Sequence, residues 1–282
     1  MSDDGTFKPC KNCFEGFRLD GTPKGAMETI GGLDCYVSKG NGTHSEQAIV
    51  LGSDIFGLGI ANPKILADWF SARTGLDTFV PDMFQGDYID TANLKPQLDI
   101  LDKQFKTMGL FSRMWAYLNV LYGMAFKVGP AYLARHKKPD VVLLVDKVCV
   151  ALKQEKGYKK LGWVGYCFGA DIGIHLATEN GPIDVLVAVH PGGLPIEDFE
   201  KIRRPLAMIC ADEDMFFDKL KPKVLPVLDT LQKTHSVPVV VHDSHEGTTH
   251  GFGCRPNLAD PKVKVAFEQA LVETKEWFDE HL

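Results

Sequence analysis

No stretch of this 282-residue sequence is apolar over the ~20 residues that a membrane-spanning helix needs, so a membrane partner is not expected. Basic residues are in short supply, 31 Lys and Arg against 37 Asp and Glu for a formal charge of −6. A nucleic-acid partner, which would bring a basic patch, is therefore not expected either. The start, Met1-Ser2-Asp3-Asp4-Gly5-Thr6, lacks the basic and apolar regions of a secretory leader, and the expected compartment is the cytoplasm. Internal repeats, low-complexity tracts and long linkers are also missing. Seven cysteines, an odd count without a leader, read as reduced thiols rather than a disulfide framework. Cys10 and Cys13 form a lone C-x-x-C. A zinc site would need a second ligand pair and a redox site a thioredoxin-like context, so no metal and no cofactor are expected. Asn41-Gly42-Thr43 fits a glycosylation acceptor but reads as a turn.

What is present is the rhythm of an α/β protein. Residues 1–30 read as an N-terminal arm ending in an edge strand, and residues 31–282 as a single domain. Short apolar runs end in turn residues: Ala48 to Leu51, Thr78 to Val80, Leu161 to Gly165, Asp184 to His190, Leu206 to Cys210 and Val237 to Val241. Unbroken runs of that length fit strands buried on both faces of a mostly parallel sheet. Between them lie helical periods. Val141, Leu144, Val145, Val148 and Leu152 share one face, as do Val263, Ala266, Phe267, Ala270, Leu271, Thr274, Trp277 and Phe278. The alternation implies a doubly wound sheet with helices on both faces. Residues 98–136 interrupt it with a helical stretch rich in large apolar groups. That stretch is either a helical pair packed on the core or a cap over a pocket. In the second case Phe111 and Trp115, four apart on one face, would line the pocket.

Ligands of open parallel sheets bind where strands end, and three strand ends carry a Cys, an Asp and a His in chain order. The strongest local pattern is Gly165-Tyr166-Cys167-Phe168-Gly169, between a strand run and a helical run. A nucleophile on a strained strand-to-helix turn needs small residues two positions either side, because the backbone there folds too tightly for a Cβ. The start of the following helix favours thiolate at Cys167. Asp214 follows the Leu206–Cys210 strand, and His250 follows the next one. The order nucleophile, acid, histidine is that of α/β-hydrolases. Asp212 competes with Asp214 as the acid, although Asp214 lies deeper in its loop. His242 and His245 compete with His250 as the base, and His175 and His190 read as packed or surface residues.

Together these residues resemble the dienelactone hydrolase family of the α/β-hydrolase superfamily. The resemblance rests on Asp54-Ile55-Phe56-Gly57, on Gly165-Tyr166-Cys167-Phe168-Gly169, and on His250-Gly251-Phe252 with Arg255. Pro81-Asp82-Met83-Phe84 adds a fourth block, and the stretch from Cys13 to Gly25 is similar to the arm of fungal members. The resemblance implies an ester or lactone hydrolase that needs no cofactor. In it, Cys167 attacks the carbonyl, His250 carries the proton and Asp214 orients the imidazole. The Ile55 and Phe168 backbone N–H groups would form the oxyanion hole. Asp54 stands where archetypal members have a Glu that holds the resting thiol. Arg255 would receive a substrate carboxylate, while a second arginine of the archetype is replaced in the Gln85-Gly86-Asp87 stretch. A bulkier or less charged small-molecule ester is therefore expected. Two other readings keep the same residues: a thioesterase or polyketide-lactone hydrolase, and a hydrolase-fold ligand-binding or sensing protein. The second would be favoured by a missing triad member, and none is missing.

Overall fold

A computed structural model describes residues 18–42, 46–88, 132 and 134–282. Their chain order is β1 (Ala26–Ile30), β2 (Leu33–Ser38), β3 (Gln47–Gly52), α1 (Asn62–Thr74), β4 (Asp77–Pro81) and α2 (Lys138–Gln154). There follow β5 (Lys160–Tyr166), α3 (Phe168–Leu176), β6 (Val185–Val189), α4 (Ile196–Phe199), β7 (Leu206–Ile209), α5 (Lys221–His235), β8 (Val239–His242) and α6 (Pro261–His281). The strands form one eight-stranded sheet in the order β1-β2-β4-β3-β5-β6-β7-β8. The pairs β1–β2 and β2–β4 are antiparallel, and every pair from β4–β3 to β7–β8 is parallel.

The central strands are apolar throughout because both their faces are covered. Successive side chains point to opposite sides, so each strand feeds two cores. Val50, Trp163, Leu186 and Met208 join Val145 and Val148 of α2 and Ile172 of α3 on one face. Leu51, Val164, Val187 and Ile209 join Leu66 and Phe70 of α1 and Ala270 and Phe278 of α6 on the other. Helix α6 starts where the Asp260 side chain accepts from the Lys262 N–H and Pro261 presets the first turn. Its eight apolar or Thr positions from Val263 to Phe278 that share the expected face are all buried.

Strand order reverses around β3 and β5. The chain leaves β3 to one side for β4, then returns to the other side for β5. At such a switch point the loops after two adjacent strands part and leave a crevice. Gly52 pairs with Gly165 in the β3–β5 register. The loop starting at Ser53 and the turn at Cys167 therefore open side by side. Of the interrupting segment only Tyr132 and residues 134–136 are described, so Phe111 and Trp115 lie outside the described residues, as do Cys10 and Cys13.

Candidate active site

Cys167 occupies the turn between β5 and α3 with φ 53° and ψ −114°, a conformation that side chains with a Cβ rarely adopt. The neighbouring glycines are what the turn requires. A Cβ on Gly165 would sit 2.2 Å from the Gly169 carbonyl oxygen, and one on Gly169 would sit 2.2 Å from that of Gly52. In both cases the obstacle is backbone, so no side-chain movement relieves it. The Cys167 side chain remains partly exposed at the start of α3.

His250 and Asp214 come from the loops after β8 and β7. The His250 Nδ1 lies 2.8 Å from one Asp214 carboxylate oxygen and 3.0 Å from the other. Both residues are buried. Burial alone would push the imidazole toward its neutral form. The charge of Cys167 and the Asp214 carboxylate outweigh that, holding His250 up to about 10. Asp212, the competing acid, accepts instead from the Gly247 N–H at 2.9 Å. His245 and His242 both face Glu273 of α6, and neither is paired with Asp214.

On the β3 side, the Gly57 N–H donates to the Asp54 carbonyl at 3.1 Å, fixing the peptide plane whose N–H belongs to Ile55. Phe168 is the first residue of α3, and its N–H has no partner one turn back in the helix. Tyr132 donates its hydroxyl to the Ile55 carbonyl at 3.0 Å and packs on Phe84, which in turn meets Phe168. The Asp54 carboxylate is fully engaged: it accepts from Arg255 Nε at 2.5 Å, from Cys254 Sγ at 3.4 Å and from the Phe56 N–H at 3.1 Å. Among the described residues no hydrogen bond joins it to Cys167, and its shortest contact is with Arg255. Arg255 is buried, stacks 4.5 Å over the Phe56 ring, and keeps its Nη1 without a partner among the described residues.

Two aromatic neighbours of His250 are not evident from the sequence. Phe216, half exposed and two residues beyond Asp214, meets the His250 ring edge-on at 4.7 Å. His190, at the end of β6 with φ 37°, is wholly buried and meets the other side at 5.0 Å. Burial, then the charges of His250 and Arg255, hold His190 well below the ordinary range, so it stays neutral beside His250. Its strand-end position is the one sequence signal that points to it. Among the described residues, no group of three or more His, Cys, Asp or Glu side chains is arranged to hold a metal ion. No helix among them is long and apolar enough to cross a membrane.

A mostly parallel sheet with a strained Cys elbow at its switch point, and His and Asp on later strand ends, is the architecture of the α/β-hydrolase class. The dienelactone hydrolase family profile matches residues 33–282, and the chain belongs to that family. With that membership it is an enzyme that hydrolyses esters or lactones. It is 30% identical over 272 residues to hydrolase tropI of Talaromyces stipitatus, covering 96% of this chain and 95% of that protein. It is 27% identical over 271 residues to dienlactone hydrolase 1 of Gibberella moniliformis, covering 95% and 92%. A dienelactone hydrolase structure from Anabaena variabilis shares the fold with a TM-score of 0.53 at 11% identity, over 93% of this chain and 98% of that one.

Proposed function

We propose that the chain is a cofactor-independent cytoplasmic hydrolase of carboxylic esters or lactones that works through an acyl-enzyme on Cys167. The observation that carries this reading is the strained, partly exposed Cys167 close to a buried His250–Asp214 pair, whose imidazole it helps to keep charged. The Cys167 thiolate attacks the substrate carbonyl carbon, and the oxygen gains negative charge between the Ile55 and Phe168 N–H groups. The His250 imidazolium protonates the leaving alcohol as the tetrahedral centre collapses. Neutral His250 then takes a proton from water, whose oxygen attacks the acyl carbon and releases the acid and the thiolate. Asp214 accepts from Nδ1 throughout, which fixes the tautomer and supports the charged ring.

Charge around the site favours neutral or weakly acidic substrates. Arg255 is already paired with Asp54 through Nε and is buried, so it is not a free cation for a substrate carboxylate. Phe216 gives the rim an apolar face. Cys167→Ala leaves no group to form the acyl-enzyme. Its turnover of a p-nitrophenyl ester panel is expected to fall below a few per cent of the parent with the circular dichroism spectrum unchanged. Ester hydrolysis at near-parental rates in that variant would sink the assignment.

A further inference from the structure

His245 was weighed above only as a rival base, yet its surroundings assign it other work. Its ring is wholly buried. Nδ1 lies 3.0 Å from the Cys210 carbonyl oxygen, at the start of the loop that carries Asp214. Nε2 lies 2.9 Å from a carboxylate oxygen of Glu273 in α6. A carbonyl cannot donate. Glu273 cannot either, because it is ionised: burial opposes this, but hydrogen bonds from His242, His245 and Gln269 hold it down to about 2. The ring therefore spans two acceptors, the Cys210 carbonyl of the acid loop and the Glu273 carboxylate of α6.

The same loop is laced to the Asp214 loop by its main chain. The Asp212 N–H donates to Thr248 Oγ1 at 3.0 Å, and the Glu213 N–H donates to the Thr248 carbonyl at 3.1 Å. The Gly247 N–H donates to the Asp212 carboxylate. Thr248 in turn donates to the His245 carbonyl through both its N–H and its hydroxyl. Only two residues past Thr248 stands His250. A buried ion pair contributes little net stability, because desolvation offsets the attraction, and its best-attested use is to fix register. Here one end of the pair sits on the C-terminal helix. The other also grips the acid loop, so a single side chain ties three elements together five residues from His250.

We propose that His245 is a positioning residue: held between the Cys210 carbonyl and the Glu273 carboxylate, it registers the loop carrying His250 onto the loop carrying Asp214. The proposal rests on the reading of Cys167, His250 and Asp214 as a triad. Glu273→Gln keeps the size of the side chain and removes the carboxylate that holds His245 Nε2. A displacement of His250 by a fraction of an ångström to 1 Å lowers kcat by about 10- to 100-fold while KM stays within about threefold, since substrate contacts are untouched. The His242 side chain shares Glu273, and the backbone carbonyl by which His242 accepts from the Cys210 N–H is untouched by substitution, so His242→Gln keeps kcat within about twofold.

The test uses the full chain and compares the parent, Glu273→Gln, His245→Gln and His242→Gln. It measures kcat and KM on a p-nitrophenyl ester, the melting temperature, and the rate at which iodoacetamide alkylates Cys167 at neutral pH, read by mass spectrometry. The last readout reports the pairing of Cys167 with His250 without any turnover. The expected result is slower alkylation and lower kcat in folded Glu273→Gln, with His242→Gln like the parent. Should Glu273→Gln fail to fold, His245→Gln, which keeps one donor without charge, is held to the same expectation. Parental kcat and alkylation in a folded variant would overturn the proposal, as would a loss of activity equal to the loss of folded protein. If Cys167→Ala is inactive and Glu273→Gln fully active, only the role of His245 falls. If Cys167→Ala keeps its turnover, the triad reading fails first.

Discussion

The two halves of the site are held by different forces. The elbow half, β3 and β5 with α3, is placed by covalent geometry. Cys167 sits at φ 53° because backbone crosses backbone at Gly165, Gly169 and Gly52, with no room for a Cβ. The acid–base half, after β7 and β8, is placed by side chains: Asp214 on His250, His245 on Cys210 and Glu273, and Thr248 between two loops. Steric exclusion is all-or-none, whereas a hydrogen bond is worth about 1 kcal/mol net and can be traded for another. The difference teaches where damage should be abrupt and where it should be graded.

The largest effect on rate should come from the reacting groups. His250→Ala is expected to lower kcat/KM by about 10³-fold or more, against a change within a few-fold for His242→Ala. Single-turnover kinetics on a chromogenic ester distinguishes them. Comparable losses at both would mean that the base had been misassigned.

Next comes the elbow itself. Gly169→Ala sets a Cβ 2.2 Å from the Gly52 carbonyl oxygen, with only backbone to yield. Overpacking of this kind costs about 1–3 kcal/mol, so a melting temperature lower by several degrees is expected together with loss of Cys167 alkylation. A Gly169→Ala protein with parental melting and turnover would show that the elbow has slack, and the contrast between the halves would collapse.

A pH series sharpens the comparison from the other half. The folded value of His250, about 10, is raised above the ordinary imidazole value near 6.5. The stability it contributes is fully present below about 6.5 and is lost as pH rises through about 10. The alkaline limb of kcat/KM should therefore fall near that value if, as proposed, the imidazolium protonates the leaving group. Asp214→Asn removes one of the two partners that raise it, and should move the limb to lower pH. An unmoved limb would assign the raised value to Cys167 alone.

The same contrast explains what could be read from the sequence. Sheet, strand ends and elbow are legible because each follows from local chemistry. The α6 face repeats at helical period, the central runs are apolar throughout, and glycines flank Cys167 at the one spacing that a tight turn needs. Asp214 and His250 follow from chain order once the elbow is fixed. The supporting shell is not legible. Glu273 and His245 are ordinary residues far apart in the chain, and no spacing marks them as partners. Arg255 reads as a free receptor for a carboxylate, but the folded chain buries it on Asp54. Phe216 lies beside Met215, and nothing in that pair of apolar residues tells which one faces His250.

The smallest effect expected tests whether graded damage is truly graded. Thr248→Val keeps the shape of a wholly buried side chain and removes its hydroxyl. The Asp212 N–H then loses its acceptor, while the His245 carbonyl keeps the Thr248 N–H as a donor. Asp212 is exposed and this bond is partly buried, so the loss in stability stays near that of a single hydrogen bond, about 1 kcal/mol. The loops remain tied through His245, Glu213 and Gly247, so kcat should drop less than about tenfold, and less than in Glu273→Gln. Melting temperature and kcat measured on the two variants side by side rank the contributions. If Thr248→Val costs as much kcat as Glu273→Gln, the main-chain lacing sets the position of His250 and the buried ion pair only follows it. If it costs stability but little kcat, the loops can loosen while His245 keeps their register, which is the behaviour expected of a half built from side-chain contacts.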